Sequence, residues 1–178
     1  MRARFQRLLM VTLFLLLAAC GSEMNSPEQK GRPSGAAVPA GELGSILPDF
    51  KIRDITGREV SSSAWRGKVV LVDFWASWCQ PCKVEMPGYQ ELQDRYGPRG
   101  LIVIGIALDT NSAAVAGFAK KLGVRYVLVL NSPELQQKFG GILGLPTTML
   151  FDRNGVLRDK VIGFQYKDKA ESAVRALL

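Results

Sequence analysis

A hydrophobic run that leads directly into two closely spaced cysteines constrains the fold of this chain more than any other feature. The segment "KVVLVDFW", residues 68–75, has the length and the β-branched content of a strand that is buried on both faces. It is followed by "ASWCQPC", in which Gln80 and Pro81 separate Cys79 from Cys82. Proline is favoured in the first turn of a helix. The pattern therefore predicts that Cys79 ends a buried strand and opens a helix.

The composition of the chain limits the chemistry of this cysteine pair, because the sequence contains three cysteines and no histidine. A structural zinc site needs about four Cys or His ligands, and covalent haem attachment needs a histidine where this chain has Lys83. A disulfide that closes so short a loop removes little entropy from the unfolded chain. The remaining interpretation is a reactive dithiol, in which the helix N-terminus favours the thiolate of Cys79 and the less exposed Cys82 acts second.

The N-terminal region has the pattern of an export signal. Residues 1–19 consist of the basic segment "MRARFQR" and an apolar stretch that is short for a membrane span. The next cysteine closes "LAAC", residues 17–20, which resembles the lipobox of bacterial lipoproteins and implies acylation of Cys20. An ordinary signal peptide cut nearby and an uncleaved anchor helix are the alternatives. The predicted organisation is a lipoprotein signal peptide at 1–19, a flexible lipidated tether at 20–45 and one globular domain at 46–178.

The charge of the chain gives no indication of a nucleic-acid partner. Loss of residues 1–19 removes three arginines and lowers the formal net charge from +7 to +4. The remaining basic residues are interspersed with acidic ones, whereas a nucleic-acid-binding surface needs a basic cluster. We therefore expect no nucleic-acid partner. The export signal, in turn, predicts an oxidising compartment in which disulfides persist.

The rest of the chain alternates between strand and helix patterns. The predicted strands are "FKIRDI", "TGREV", "LIVIGIAL", "YVLVL", "TTMLF" and "VLRDKVI", and the predicted helices are "CKVEMPGYQELQDRYG", "NSAAVAGFAKKLG", "SPELQQKFG" and "KDKAESAVRALL". The two last strands form a hairpin through the turn "DRNG". This order predicts an α/β fold with a mixed central sheet flanked by helices.

Four segments together resemble the thioredoxin-like, membrane-anchored thiol-disulfide reductases of the TlpA and ResA type. They are "LPDF" at 47–50, "GKVVLVDFWASWCQPCKVEMP" at 67–87, "GLPTTMLFDRNG" at 144–155 and "GF" at 163–164. The resemblance implies a thioredoxin fold with an N-terminal strand-pair extension and a central helix-strand insertion. It also implies thiol-disulfide exchange in the bacterial cell envelope, on the periplasmic side, through a redox-active disulfide between Cys79 and Cys82. We expect no cofactor and no metal.

The same resemblance assigns further site residues. Pro146 matches the family's cis-proline, which leaves the backbone of Leu145 free to pair with a substrate. Apart from the resemblance, Trp75 and Trp78 flank the site, and their aromatic rings either shape a docking surface, with Trp78 as the candidate, or pack in the core. Glu85 lies on the same helical face as the second cysteine, and Asp73 matches the buried aspartate of thioredoxin. Each carboxyl group is a candidate for proton transfer to and from the dithiol, and each has the alternative of a purely structural role.

The predicted reductase needs two partners, a disulfide-containing exported client and a membrane electron donor of the DsbD or CcdA type. Cytochrome c maturation is the setting that the resemblance favours. One alternative is a thiol oxidase or isomerase that uses the same cysteines, although the Gln80-Pro81 dipeptide resembles that of reducing thioredoxins. A second alternative is a Cu(I)-binding assembly factor, which usually includes a histidine that this chain lacks.

Overall fold

The structure, a computed structural model, describes residues 38–178. Its strands are β1 (Lys51–Arg53), β2 (Glu59–Ser61), β3 (Val69–Trp75), β4 (Leu101–Ala107), β5 (Val127–Leu130), β6 (Thr147–Phe151) and β7 (Leu157–Ile162). Its α-helices are α1 (Gln80–Tyr96), α2 (Ser112–Lys121), α3 (Pro133–Lys138) and α4 (Lys167–Leu177). None of the helices in this part of the chain is long and apolar enough to span a membrane. The predicted signal peptide and Cys20 lie outside the described residues.

The strands form one large sheet and one small one. The large sheet has the order β5-β4-β3-β6-β7, with β3, β4 and β5 parallel and β6 and β7 antiparallel to their neighbours. The small sheet is the antiparallel pair of β1 and β2. The α/β fold with a mixed sheet is therefore confirmed. The strand pair precedes β3, and α2 with β5 forms the insertion between the α1-β4 unit and the C-terminal hairpin.

The central strand β3 is buried along its whole length, as the hydrophobic run predicts. Successive side chains of a strand point to opposite faces, so Leu71, Asp73 and Trp75 share one face of the sheet. That face packs against α1, α2 and α4. The opposite face carries Val70, Val72 and Phe74, which pack in a second core against Phe50, Trp65 and Phe139. Asp73 is therefore the only polar side chain of β3, and it lies on the face covered by α1.

The connection between β3 and α1 differs from the sequence prediction. The strand ends at Trp75, and Cys79 is the N-cap of α1, so three residues separate the strand from the first cysteine. The backbone leaves the sheet after Trp75, and Ser77 forms hydrogen bonds with a side chain instead of with a neighbouring strand. Its N–H donates to Asp109 Oδ2 at 2.9 Å and its hydroxyl donates to Asp109 Oδ1.

Part of the segment predicted as a tether packs against the domain. The N–H of Gly44 donates to the C=O of Leu157, and the N–H of Leu157 donates to the C=O of Ser45. Lys160 Nζ donates to the C=O of Gly41, and Ser45 is buried. The packed chain thus begins several residues before the predicted boundary at 46, because these backbone groups bond to the edge strand β7.

Candidate active site

The structure joins Cys79 and Cys82 in a disulfide at the N-terminus of α1, with a Cα–Cα distance of 5.4 Å. Cys79 Sγ accepts a hydrogen bond from the Cys82 N–H at 3.3 Å, and Pro81 occupies the first turn of the helix. Cys79 is 6% exposed and Cys82 is completely buried. The predicted order of exposure is therefore confirmed, because Cys79 is the less buried of the two cysteines.

The turn that presents the cysteines is fixed by a residue that the sequence interpretation did not identify. Asp109 follows β4 and receives both hydrogen bonds from Ser77 described above. Because β3 and β4 are parallel and adjacent, their carboxyl ends meet at one edge of the sheet. The sequence signal that could have identified Asp109 was an acidic residue two positions after β4, the strand next to β3. Asp109 thus holds residues 76–78 in place below the disulfide.

Two buried carboxyl groups lie on the face of the sheet covered by α1. Asp73 is fully buried, and within residues 38–178 neither of its carboxyl oxygens has a hydrogen-bond partner. Glu85 is 4% exposed; its Oε1 accepts the N–H of Gln165, whereas its Oε2 has no partner among the described residues. No basic side chain of this region pairs with either group. Asp73 therefore lacks the hydrogen bonds that usually accompany burial, and Glu85 has only one of them.

Burial raises the pKa of both groups. The pKa of Asp73 lies well above its usual value, because of its desolvation and, to a smaller extent, the neighbouring Glu85 charge. Desolvation raises the pKa of Glu85 to about 7, against the opposing effect of the Gln165 N–H. A carboxyl group with a pKa near the working pH is suited to exchange protons with a thiol. The structure thus brings both predicted carboxyls together, and the coupling between their charges makes them one system.

Two tyrosines complete the polar cluster below the disulfide. Tyr89 lies four residues after Glu85 on α1, and its hydroxyl bonds to Thr148 Oγ1 at 3.0 Å. The hydroxyl of Tyr126 is buried, and the described residues offer it no partner. Burial raises the pKa of both phenols, so both remain neutral. The sequence interpretation missed both tyrosines, although the spacing of Tyr89 from Glu85 places the two on one helical face.

A glycine on the strand next to Asp73 leaves room for the side chains of this core. Gly105 on β4 pairs with Asp73 on β3. A Cβ atom at Gly105 would lie 2.6 Å from the side chain of Leu128 and 2.9 Å from Trp75 Nε1. Any larger residue at position 105 would therefore displace Leu128 or Trp75, which belong to the core on the α1 side of the sheet.

The Leu145-Pro146 peptide bond is cis, as predicted. Thr147, the first residue of β6, pairs with Phe74 near the end of β3, so Pro146 lies at the sheet edge from which the disulfide turn projects. Among the described residues, the backbone of Leu145 has no hydrogen-bond partner, while the C=O of Pro146 accepts the N–H of Gly163 at 2.8 Å. The position fits the predicted role of Leu145 in pairing with an extended substrate.

The two tryptophans near the disulfide differ in exposure. Trp75 is fully buried and stacks on Phe118 with ring centroids 5.6 Å apart. Trp78 is 68% exposed. Of the two, only Trp78 is available to contact a partner, as its predicted role requires.

Comparisons with known proteins agree with this geometry. Residues 43–160 match the model of the AhpC/TSA family. The thiol-disulfide oxidoreductase ResA of Geobacillus thermodenitrificans is 32% identical over 174 residues, which cover 97% of each chain. A crystal structure of a thioredoxin-family thiol:disulfide interchange protein from Chlorobium tepidum has a TM-score of 0.71 and 29% identity, and covers 80% of this chain and 99% of that one. A second Chlorobium tepidum structure, of a putative thiol:disulfide interchange protein DsbE, has a TM-score of 0.70 and 30% identity over 76% of this chain and 97% of that one.

The comparisons therefore confirm the resemblance to the ResA type and the thioredoxin fold. They also confirm that relatives of this chain are named as enzymes of thiol-disulfide exchange. Together with the disulfide at the N-terminus of α1, they lead to one conclusion. The chain belongs to the AhpC/TSA family and is a thiol-disulfide oxidoreductase with a thioredoxin fold.

Proposed function

We propose that this enzyme reduces disulfides of exported proteins in the bacterial cell envelope, with Cys79 as the attacking thiol and Cys82 as the resolving thiol. The observation that carries the proposal is the position of the pair. Cys79 lies at a helix N-terminus, and Glu85 lies one helical turn after Cys82 on the same helix. Glu85 and Asp73 are both buried, and neither has a basic partner among the described residues. A helix N-terminus stabilises a thiolate, and a neighbouring carboxylate accepts the proton of a second thiol.

The reaction has two exchange steps. The Cys79 thiolate attacks one sulfur of the client disulfide, which forms a mixed disulfide and releases the other client sulfur as a thiolate. Cys82 then loses its proton and attacks Cys79 Sγ, which frees the second client thiolate and forms the Cys79–Cys82 disulfide. Two electrons pass from the enzyme to the client. The disulfide of the structure corresponds to the product state of this reaction.

The second step needs a proton acceptor for Cys82, and we assign this task to the Asp73-Glu85 system. Glu85 lies three residues after Cys82, one helical turn further into α1. A pKa of about 7 allows Glu85 to take up a proton near neutral pH. Asp73 is buried on the sheet face that α1 covers, and its desolvation together with the charge of Glu85 raises its pKa well above the usual value.

The direction of exchange and the location of the enzyme are further parts of the proposal. The Gln80-Pro81 dipeptide favours reduction, and a reductase in an oxidising compartment needs a membrane electron donor, for which we propose the DsbD or CcdA type. Lipid attachment at Cys20 would keep the enzyme beside that donor. The reduction of a cysteine pair in apocytochrome c before haem attachment is the proposed setting.

The redox equilibrium of the Cys79-Cys82 couple against glutathione tests the direction. We expect a potential near the value of about −270 mV that is typical of thioredoxin. A potential near the value of about −120 mV of DsbA would instead mean that the enzyme oxidises its clients. Insulin reduction by the Cys79→Ser variant supplies the test of mechanism, because retained turnover would exclude Cys79 as the attacking thiol.

The anchor is tested separately. Cells that express the wild-type chain or the Cys20→Ala variant are fractionated, and the mature N-terminus is identified by mass spectrometry. We expect a diacylglyceryl mass on Cys20 and loss of membrane association in the variant. A mature chain that begins elsewhere and lacks a lipid would contradict the lipoprotein assignment.

A further inference from the structure

Buried polar atoms that lack a hydrogen-bond partner are concentrated on the α1 side of the sheet. Among the described residues, six side-chain atoms of this kind occur, and five of them belong to Asp73, Trp75, Glu85 and Tyr126. Buried polar groups are normally hydrogen-bonded, so a concentration of exceptions needs an explanation. Asp73 and Glu85 already have a place in the exchange reaction. Tyr126 does not, although its hydroxyl belongs to the same polar cluster.

The register of the sheet brings Tyr126 beside Asp73. Asp73 on β3 pairs with Gly105 on β4, and Gly105 pairs with Leu128 on β5. Tyr126 precedes Leu128 by two residues and packs in the same core, so both lie on the face that Asp73 occupies. A Cβ atom at Gly105 would lie 3.1 Å from Tyr126 Cε2, the ring carbon next to the one that carries the hydroxyl. The ring of Tyr126 therefore lies over Gly105, one strand spacing of about 4.8 Å from Asp73.

A second tyrosine flanks Asp73 from the other neighbouring strand, and its hydroxyl is already occupied. Thr148 on β6 pairs with Asp73. The hydroxyls of Tyr89 and Thr148 form a hydrogen bond of 3.0 Å. The two sides of Asp73 are therefore unequal, because the tyrosine on the β6 side has a partner and the tyrosine on the β4 side has none among residues 38–178.

The hydroxyl of Tyr126 also has freedom to move. A hydroxyl hydrogen rotates about its C–O bond to suit an acceptor. The ring of Tyr126 borders a cavity of about 400 Å³ between α2 and the turn at residues 54–58, which gives the ring room to shift. Trp75 carries the other donor without a partner in this part of the chain, but its ring is fixed by stacking on Phe118 with centroids 5.6 Å apart. Tyr126 is therefore the donor that is able to follow a change in the charge of Asp73.

The protonation state of Asp73 determines when a donor is needed. In the oxidised structure, burial and the charge of Glu85 raise the pKa of Asp73 well above its usual value, so the carboxyl holds its proton. To accept the proton of Cys82 in the next turnover, Asp73 must first be ionised. A buried carboxylate without a donor is far more costly than a buried carboxylic acid. The reduced enzyme therefore needs a hydrogen bond to Asp73 that the oxidised enzyme does not need.

We propose that Tyr126 is a positioning residue of the exchange reaction, which donates a hydrogen bond from its hydroxyl to the ionised carboxyl of Asp73 in the reduced enzyme. The bond forms when Asp73 loses its proton and is released when Asp73 accepts the proton of Cys82. Tyr126 keeps its own proton throughout, because burial and, to a smaller extent, the neighbouring acidic charges raise its pKa. The inference rests on the proposed exchange reaction and adds to it a residue that prepares Asp73 to accept a proton.

The first test follows the protonation of Asp73 in the reduced full-length enzyme, with no client present. The infrared absorption of its protonated carboxyl, identified by its loss in Asp73→Asn, is measured as the pH is raised. A hydrogen bond to a charged group stabilises that charge, so we expect the midpoint of this titration to lie about one pH unit higher in Tyr126→Phe than in the wild type. An unchanged midpoint would overturn the proposal.

The matched control is Tyr96→Phe, which removes the same hydroxyl from a tyrosine of the same core. The hydroxyl of Tyr96 donates to Glu171 at 2.6 Å, so we expect the midpoint of Asp73 to stay at its wild-type value. The buried residues that α2 and α4 contribute to this core are all apolar. Besides Asp73 and the two cysteines, its titratable side chains are Glu85, Tyr89, Tyr96 and Tyr126. A shift in Tyr96→Phe as large as that in Tyr126→Phe would mean a general effect of the core and would refute the assignment.

A double-mutant cycle tests whether the hydroxyl of Tyr126 acts through Asp73. The reduced enzyme reacts once with glutathione disulfide, which yields two molecules of glutathione and the Cys79–Cys82 disulfide. Acid quenching and mass spectrometry follow the decay of the intermediate that joins glutathione to Cys79. At pH 7 we expect Tyr126→Phe to slow this decay by about tenfold, which corresponds to a shift of one pH unit in the ionisation of Asp73. In the Asp73→Asn background the same substitution should change the rate by less than about twofold. Equal slowing in both backgrounds would exclude the proposed role.

The outcomes distinguish this inference from the proposed function, because the infrared titration needs no client. If the wild-type enzyme reduces neither glutathione disulfide nor insulin, the proposed function fails, whatever the midpoint of Asp73. If it reduces both and Tyr126→Phe leaves the midpoint unchanged, exchange stands and the role of Tyr126 is refuted. Circular dichroism identifies any loss of fold in Tyr126→Phe. In that case 3-fluorotyrosine at position 126 replaces the variant, because its more acidic hydroxyl is a stronger donor and should lower the midpoint of Asp73. An unchanged midpoint there would equally overturn the proposal.

Discussion

Two pairs of buried carboxyl groups in this molecule have opposite surroundings. Asp54 and Asp152 lie in the turns "DITG" and "DRNG", and each is fully provided with donors. Asp54 accepts hydrogen bonds from the backbone and hydroxyl of Thr56 and from the backbone and guanidinium of Arg58. Asp152 accepts two backbone N–H groups and the guanidinium of Arg158. Asp73 and Glu85, below the disulfide, together have a single donor.

The difference shows why burial alone does not identify a functional carboxyl. In the turns, hydrogen bonds outweigh desolvation, so the pKa values of Asp54 and Asp152 lie below their usual value. For Asp73 and Glu85, desolvation outweighs the single hydrogen bond that Glu85 accepts, and the pKa values of both groups are raised. The first pair stabilises turns as permanent anions, whereas Asp73 and Glu85 keep their protons to higher pH, and Glu85 changes its protonation state at about pH 7.

The sharpest test of this contrast is the same isosteric change in both places. Asp73→Asn removes a proton acceptor, so we expect release of the client from its mixed disulfide with Cys79 to slow by about 100-fold or more at pH 7. Asp152→Asn leaves the dithiol untouched and is expected to change that rate by less than about twofold. Stopped-flow measurement of the second exchange step in both variants decides the matter. Equal slowing in the two variants would mean that Asp73 acts only through stability.

The second test uses the pH dependence of stability in the oxidised protein. The pKa of Glu85 rises from 4.5 to about 7 on folding, so the folded state holds its proton more tightly. Stability from this group is complete below about pH 4.5 and is lost as the pH rises through 7. The shift corresponds to about 3 kcal/mol in the free energy of unfolding.

Urea unfolding between pH 5 and pH 8 measures this loss. In Glu85→Gln, the decrease with rising pH should be smaller than in the wild type by that amount, with Asp73 contributing the remainder. The turn carboxylates have the opposite sign, because their lowered pKa values withdraw stability only as the pH falls below about 3.8. Parallel curves for the wild type and Glu85→Gln above pH 5 would refute the assignment.

The same contrast explains what was predictable from the sequence. The order of strands and helices followed from periodicity, and the predicted segments "NSAAVAGFAKKLG" and "SPELQQKFG" begin with Asn111 and Ser132, which cap α2 and α3. The turn carboxylates also have local signals, because their donors lie within six residues along the chain. Such short-range chemistry is visible in a sequence.

The surroundings of Asp73 and Glu85 depend on long-range packing and were not visible. The donor to Glu85 is eighty residues away along the chain. Tyr126 reaches the cluster from the start of β5, and Asp109 holds the disulfide turn from the end of β4. The cis-proline was predicted only through family resemblance, since proline in an unfamiliar loop is usually trans. The sequence pattern therefore located the dithiol, but it did not show the surroundings of the buried carboxyls or the contact that holds the disulfide turn.

The third test asks what the turn carboxylates contribute to stability. Asp152→Asn keeps an oxygen for the N–H groups of Asn154 and Val156 but loses the charge that pairs with Arg158 at 2.7 Å. We expect a loss of about 2 kcal/mol in the free energy of unfolding at pH 7. Asp73→Asn, by contrast, removes a desolvated carboxyl and should leave stability at pH 8 equal or higher. Chemical denaturation of both variants gives the sign, and a loss in Asp73→Asn as large as in Asp152→Asn would abolish the distinction.

The smallest effect is expected from the guanidinium partners of the turn carboxylates. The side chain of Arg58 is 73% exposed while that of its partner Asp54 is 2% exposed, so water screens one end of the ion pair. Arg58→Gln should cost less than about 1 kcal/mol, because Asp54 keeps its bonds to Thr56 and to the backbone of residue 58. The difference from wild type should shrink further in 0.5 M salt, because the Debye length there is about half of its value in a 0.1 M buffer. A salt-independent loss of about 3 kcal/mol would instead mean that Asp54 depends on Arg58 for its charge, and that the turn carboxylates resemble the pair below the disulfide more closely than their hydrogen bonds indicate.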